Sequence, residues 1–196
     1  TGNKSFIAGA DIKNMINMGK SEALEFSSLG HGLTMKIENF NKPIIAAING
    51  YALGGGCEIA MACHIRYAAE NAIFGQPEVG LGLIAGWGGT QRLPKLVGKG
   101  IALELLLTGA TINANYALNI GLVNKIFSQK ELLDECIKLA EKISFNAPLA
   151  LSSTISSVSN NFLYEKHAFA DLFKTEDAKH GMDSFVNKLK PKFKGK

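Results

Sequence analysis

Apolar side chains at Phe26, Leu29, Leu33, Ile37 and Phe40 step by three and four between Ser21 and Phe40, which predicts a helix burying that face. The next run, KPIIAAI, is short and unbroken, so it reads as a strand buried on both faces, entered through Pro43 and left through Asn49-Gly50. Short β-prone runs come next at IRYAA and AIFG, then a glycine-rich connection from Gly80 to Gly89. Helical spacing returns in TQRLPKLVG, GIALELLLTG and NANYALNIG, the last closed by Gly121 in an expected left-handed cap, and LVNKIF reads as a final strand. Ser128 and Glu131 then have capping-box spacing and open a helix to about Ser144, with Leu132, Cys136, Leu139 and Ile143 on one face. Further helices are expected at 148–160, 162–174 and 176–189. The pattern is α/β over residues 1–127, then an all-helical region over 128–196.

Composition narrows the class without changing that division. The 196 residues, 46% of them apolar, suffice for one sizeable core. The net charge of +4 is a property of the tail, because Lys188, Lys190, Lys192, Lys194 and Lys196 outweigh it. Nucleic acid is therefore not an expected partner, and no apolar run has membrane-spanning length. Cys57, Cys63 and Cys136 are odd in number and form no C-x-x-C pair, which points to a reducing, cytoplasmic compartment. The chain opens at Thr1 without a methionine, so it is expected to be a fragment.

The stretch YALGGGCEIAMACHIR sets Gly54, Gly55 and Gly56 between a strand and a helix, where bare main chain lets a ligand approach and the helix presents free N–H groups. Such a corner suits a phosphate or a developing oxyanion, or merely tightens the turn; no Lys-Ser/Thr comes after it, which argues against a P-loop. Glu58 lies in the first helical turn, where a carboxylate also complements the dipole. Glu78 comes after Pro77 in FGQPEVGLG, in a glycine-flanked loop where extended backbone is expected before the proline. Two glutamates in apolar surroundings are what a general acid and base require, although spacing does not show that they meet. In FIAGADIKNM the turn Ala8-Gly9-Ala10 could pair an Ala10 N–H with that of Gly55 on a single oxygen. Other matches fail on context. Gly80-Leu-Gly82 lacks the strand a dinucleotide fingerprint needs, Cys57 and His64 stand about 10 Å apart if helical, and the four histidines have no metal spacing.

The segments SFIAGADI, KPIIAAINGYALGGGCEIAM, FGQPEVGLG, GGTQRLPKLVG and ALNIGLVNKIF, with FNAPLAL and FVNKLKPKF after them, resemble the crotonase, or enoyl-CoA hydratase, family along essentially the whole chain. The likeness is nearest to its bacterial short-chain, 3-hydroxybutyryl-CoA dehydratase type. It implies a crotonase-like spiral of ββα repeats with a C-terminal helical extension for oligomerisation, and several dozen missing residues before Thr1, which would end a strand. It also implies an acyl-CoA thioester substrate, no separate cofactor or metal, and trimers or paired trimers. Ala10 and Gly55 fall on the oxyanion-hole donors, Glu58 on the carboxylate activating water, and Glu78 on the one protonating the α-carbon. Ala8, Asp11 and Ile12 fall on the CoA-contacting stretch, Lys4 and Lys13 within reach of phosphates, and Ala52, Leu53, Pro77, Gly86 and Trp87 along the substrate.

His64 stands where the family has aspartate, and Ala85 where it has proline. The expected reaction is syn addition of water to a trans-2-enoyl-CoA, with Trp87 closing the acyl pocket for four-carbon substrates. The alternatives are isomerisation or another CoA-thioester lyase reaction, and an inactive CoA-thioester-binding assembly subunit. Because the isomerases this resemblance suggests use one acid, two favour hydration.

Overall fold

The computed structural model describes Gly2 and residues 4–196, so the strand end expected at Thr1 lies outside the described residues. The chain divides into two compact units, one running to Glu38 and over Ile44–Cys136, the other comprising Asn39–Pro43 and Ile137–Lys196.

Within the first unit, β1 (Ser5–Ile7), β3 (Tyr51–Leu53), β5 (Ile73–Gly75) and β6 (Thr111–Asn113) form one sheet in that order. β2 (Ile45–Ile48), β4 (Ile65–Ala69) and β7 (Lys125–Phe127) form another. All pairings are parallel except β5 with β6. The connections are helical: α1 (Ile12–Met15), α2 (Lys20–Glu38), α3 (Gly55–Ala62), α4 (Gly89–Val97), α5 (Lys99–Thr108) and α6 (Ala114–Asn119), with a 3-10 helix at Pro77–Leu81. Ile48, Ala52, Cys57, Phe74, Leu93 and Ala102 belong to the core these elements enclose. Gly121 ends α6 at φ +82°, the expected left-handed cap.

Three expectations about these elements need correction. In α2 only Phe26 and Ile37 of the predicted apolar face turn inward; Leu29 is 69% exposed, while Gly30 and Thr34 are buried. The reason is steric, since a side chain at Gly30 would strike the Trp87 indole, so small residues define the close-packed stripe. Glu78, expected in a loop, lies in the first turn of the 3-10 helix. His64 lies beyond α3, where Nδ1 accepts from the Ile44 N–H at 2.8 Å and its other nitrogen faces the Glu38 carbonyl at 3.2 Å, tying the start of β2 to the end of α2.

The second unit is helical. α7 (Leu132–Ser144) opens on the predicted Ser128–Glu131 box, with Ser128 Oγ donating to Glu131 at 2.6 Å. α8 (Pro148–Val158), α9 (Phe162–Leu172) and α10 (Glu176–Val186) complete it. Leu132 and Cys136 are buried in the first unit, which is why that unit extends past the change of pattern at 127. Among the described residues no helix is long and apolar enough to cross a membrane.

Candidate active site

β1 and β3 lie side by side and parallel, so the turns that leave them emerge at one end of the sheet. After β1 comes Ala8-Gly9-Ala10, and after β3 the glycine corner. The two turns abut: a Cβ at Gly9 would stand 3.5 Å from the Leu53 carbonyl oxygen, and one at Gly54 3.9 Å from the Gly9 Cα. Gly54 has φ +52° and ψ −126°, a conformation that side chains resist, and it starts α3. The first N–H groups of α3, Gly55 included, have no acceptor within the helix. A Cβ at Gly54 would also lie 3.0 Å from Glu78 Oε1, so the second acid leans on the same corner.

Glu58, one turn into α3, is 2% exposed, yet Oε1 accepts two main-chain hydrogen bonds, from Trp87 N–H and Gly89 N–H, each at 2.7 Å. Burial pushes this carboxyl up; the Gly89 and Trp87 N–H groups, then the charges of His31 and Arg92, pull it back. Glu78 is raised by burial and by the Glu58 charge against the pull of its own N–H, and its Oε2 is buried with no hydrogen-bond partner. Both carboxyls are thus raised, but Glu58 keeps two N–H groups that favour its ionised form, whereas the unpartnered oxygen of Glu78 favours its proton.

Both acids line a cavity of about 640 Å³, as do Ala10 and Gly55. Its walls are otherwise mostly apolar, with Met15, Met18, Phe26, Leu81 and Ile84 among them. The Trp87 indole packs across Gly55 and Gly30 and meets the Phe26 ring at 5.3 Å between centroids. Among the described residues no group of three His, Cys, Asp or Glu could hold a metal ion.

The structure thereby brings Ala8, Ala10, Ile12, Leu53, Gly55, Glu58, Pro77, Glu78, Gly86 and Trp87 to one cavity. Lys4, Asp11 and Lys13 are exposed and do not line it; the Asp11 carboxylate caps α1 by accepting from the Lys13 N–H at 3.0 Å. Ala52, expected along the substrate, is a further correction: it is fully buried, because its position in β3 turns the methyl into the core beneath the site. Sequence reasoning missed Ser27, Thr34 and Arg92. Ser27 Oγ donates to the Gly86 carbonyl at 2.7 Å, Thr34 Oγ to that of Trp87 at 3.0 Å, and Arg92 Nη1 to the same oxygen at 3.0 Å. The signal was helical spacing: Ser27, Gly30 and Thr34 share one face of α2, and Arg92 sits beside Leu93 on the buried face of α4.

The family model described as enoyl-CoA hydratase/isomerase matches residues 1–196. The chain belongs to the enoyl-CoA hydratase/isomerase family. Similar relatives include the short-chain-enoyl-CoA hydratase of Clostridium acetobutylicum, 47% identical over 96% of this chain and 76% of its own length. The crotonyl-CoA hydratase of Syntrophomonas wolfei is 49% identical over 98% of this chain and 77% of its own. Among solved structures, the enoyl-CoA hydratase of Bacillus anthracis superposes with a TM-score of 0.94 at 39% identity, covering 100% of this chain and 79% of that one. The fold is accordingly the crotonase fold, a mixed α/β architecture with parallel sheets. The chain thus spans about three quarters of the length of these hydratase/isomerase family members.

Proposed function

We propose that this chain is a short-chain enoyl-CoA hydratase, a hydro-lyase adding water across the double bond of a 2-enoyl-CoA thioester such as crotonyl-CoA, and catalysing the reverse dehydration. The observation that carries the reading is the pair of glutamates, Glu58 buried and Glu78 half-buried, unequal in hydrogen bonding, in one cavity with Ala10 and Gly55. The family and its hydratase relatives support it.

In the mechanism, the thioester oxygen accepts from the Ala10 and Gly55 N–H groups, and the β-carbon becomes electrophilic as charge moves onto that oxygen. Each such donor contributes about 3 kcal/mol in comparable sites. Ionised Glu58 takes a proton from water as the water oxygen bonds to the β-carbon, and protonated Glu78 delivers its proton to the α-carbon on the same face. The product is the 3-hydroxyacyl thioester, with one proton gained by Glu58 and one lost by Glu78. Exchange with solvent restores the pair, which titrates as a unit. No cofactor enters these steps.

Two acids favour hydration over isomerisation. Trp87 closes the acyl end, and the exposed Ala8 and Ile12 lie along the CoA path, with Lys4 and Lys13 meeting its phosphates from outside the cavity. We further propose that the chain works in the cytosol, where its three free, buried thiols stay reduced, and as a homo-oligomer built as trimers. The large apolar side chains exposed on the second unit support that assembly.

The test is loss of the enoyl-thioester ultraviolet band on adding crotonyl-CoA. Glu58→Gln and Glu78→Gln are each expected to lower turnover by roughly 10²- to 10⁴-fold while thioester binding persists. Full activity in either variant would remove that residue from its role.

A further inference from the structure

Three consecutive peptide groups, 86–87, 87–88 and 88–89, wrap the Glu58 carboxylate. The outer two donate the Trp87 and Gly89 N–H groups to Glu58 Oε1. The middle one points its carbonyl the other way, where the Trp87 oxygen accepts from Arg92 Nη1 and Thr34 Oγ, both at 3.0 Å. The Arg92 fork is used on its other edge as well: Nη2 and Nε donate to Glu38 Oε2 at 2.7 and 3.2 Å. Arg92 is only 7% exposed, and Gly88, at φ +105°, gives it room, since a Cβ there would lie 2.1 Å from Nη1. Any side chain at Gly88 would displace the guanidinium.

We infer that Arg92, braced by Glu38, is a positioning residue for Glu58: by holding the Trp87 carbonyl from behind, it fixes the two N–H groups that orient the base. The inference rests on the role of Glu58 proposed above. A peptide gripped at its oxygen cannot rotate, so its neighbours cannot turn their N–H groups from the carboxylate. Arginine suits the task because its planar fork serves a carbonyl and a carboxylate at once, which a lysine ammonium does not. Loosening the turn withdraws donors from the ionised form of Glu58, whose basicity then rises while its aim worsens.

The groups facing Glu58 are His31 from α2, Arg92 from α4, Glu78 from the 3-10 helix, and Cys57 beside it on α3. They give the test a sign. Removing the negative charge of Glu38 without moving anything would leave Arg92 more strongly felt at Glu58 and lower the pKa of that base. Unbracing the fork raises it.

The measurement is the pH dependence of kcat and kcat/KM for crotonyl-CoA in the full chain carrying Glu38→Gln, a half-exposed position that leaves the core untouched. Expected are a fall in kcat of roughly tenfold, KM within about threefold, and an acid limb moved to higher pH by about half a unit or more. Arg92→Lys should move the limb the same way despite keeping its charge, and Glu38→Asp should recover part of the loss. An acid limb that stays in place or moves to lower pH in Glu38→Gln overturns the inference, as does wild-type behaviour in Arg92→Lys. Infrared titration of the carboxyl band that disappears in Glu58→Gln reads the same shift without turnover. A wild-type chain that fails to hydrate crotonyl-CoA would count against the proposed function, and the infrared shift would still decide for or against Arg92.

Discussion

Glu78 keeps a buried carboxylate oxygen without a partner, an arrangement that ordinarily costs a protein stability once the group ionises. Its carboxyl is raised by burial and by Glu58. A carboxyl whose folded pKa stands above its unfolded one contributes stability below the unfolded pKa, and that contribution is lost as pH rises through the folded pKa. Glu78→Gln is therefore expected to raise the melting temperature at neutral pH, by the equivalent of about 1 kcal/mol, with the gain fading in mild acid. Thermal melts across that range check it; a gain independent of pH would mean that ionisation is not the cause. Trp87 makes a second prediction at this scale. Trp87→Ala should raise kcat/KM for decenoyl-CoA relative to crotonyl-CoA by roughly tenfold or more, and an unchanged ratio would remove the indole as the limit on acyl length. Glu58, Glu78 and the glycine corner were legible because acids in apolar, glycine-rich runs stand out. Arg92 and Thr34 were not, because helical spacing marks their faces as inward without naming what they meet, and the carbonyl they share, 5 and 53 positions away, leaves no mark in a sequence.

At the scale of elements, α2 holds the loop from Gly86 to Gly88 through Ser27 and Thr34 and admits the Trp87 ring at Gly30. Gly30→Ala would set a methyl about 2 Å from the indole. A loss of roughly 1–3 kcal/mol is expected, with a change in tryptophan emission, since overpacking forces neighbours off their rotamers. Trp87 is the single tryptophan, so that emission reports this loop alone. Periodicity located α2 but chose the wrong face, because it weighs large apolar residues and this contact is made by small ones. It also passed over β1, β3 and β6, each of three residues. β5 and β7 are as short but lie in β-prone runs, whereas β1, β3 and β6 sit against glycine turns and helix starts and exist because neighbours pair with them. At the far end of the chain, both Asp177 oxygens accept main-chain N–H groups at 2.7 Å, from Lys194 and Gly195. Those bonds, led by that of Lys194, hold the carboxyl below its ordinary range. The clasp is present above the usual aspartate pKa and lost as pH falls through the lowered one. Asp177→Ala should accordingly speed tryptic cleavage after Lys192 and Lys194; an unchanged rate would show that the tail is held by other contacts.

For the whole molecule, the second unit exposes side chains that a solitary domain keeps covered: Phe162 is 89% exposed, Phe185 85% and Val158 83%. Such residues fit association with further copies of the chain. Light scattering is expected to give a mass of three protomers or six, and Phe162→Asp with Phe185→Asp should lower it toward one. A monomeric wild-type chain would refute the assembly. The order of helices in this region was readable from caps and spacing, with Asn161 and Thr175 each accepting a backbone N–H at the helix start. Which helix surfaces stay exposed was not readable, because an apolar face looks the same in sequence whether it meets its own core or another protomer.

The corner where β1 and β3 end carries a consequence for how such a chain changes over generations. The two donors proposed there, on Ala10 and Gly55, are peptide N–H groups, and no codon specifies a peptide N–H. Substitution can crowd Gly55 or tilt Ala10, but only proline deletes a donor outright. Glu58 and Glu78 are each one nucleotide change from glutamine. Mutation therefore reaches the proton-handling groups far more readily than the groups that polarise the thioester. A lineage with this corner can discard or exchange its acids, and with them its reaction, while its grip on the activated carbonyl passes down intact.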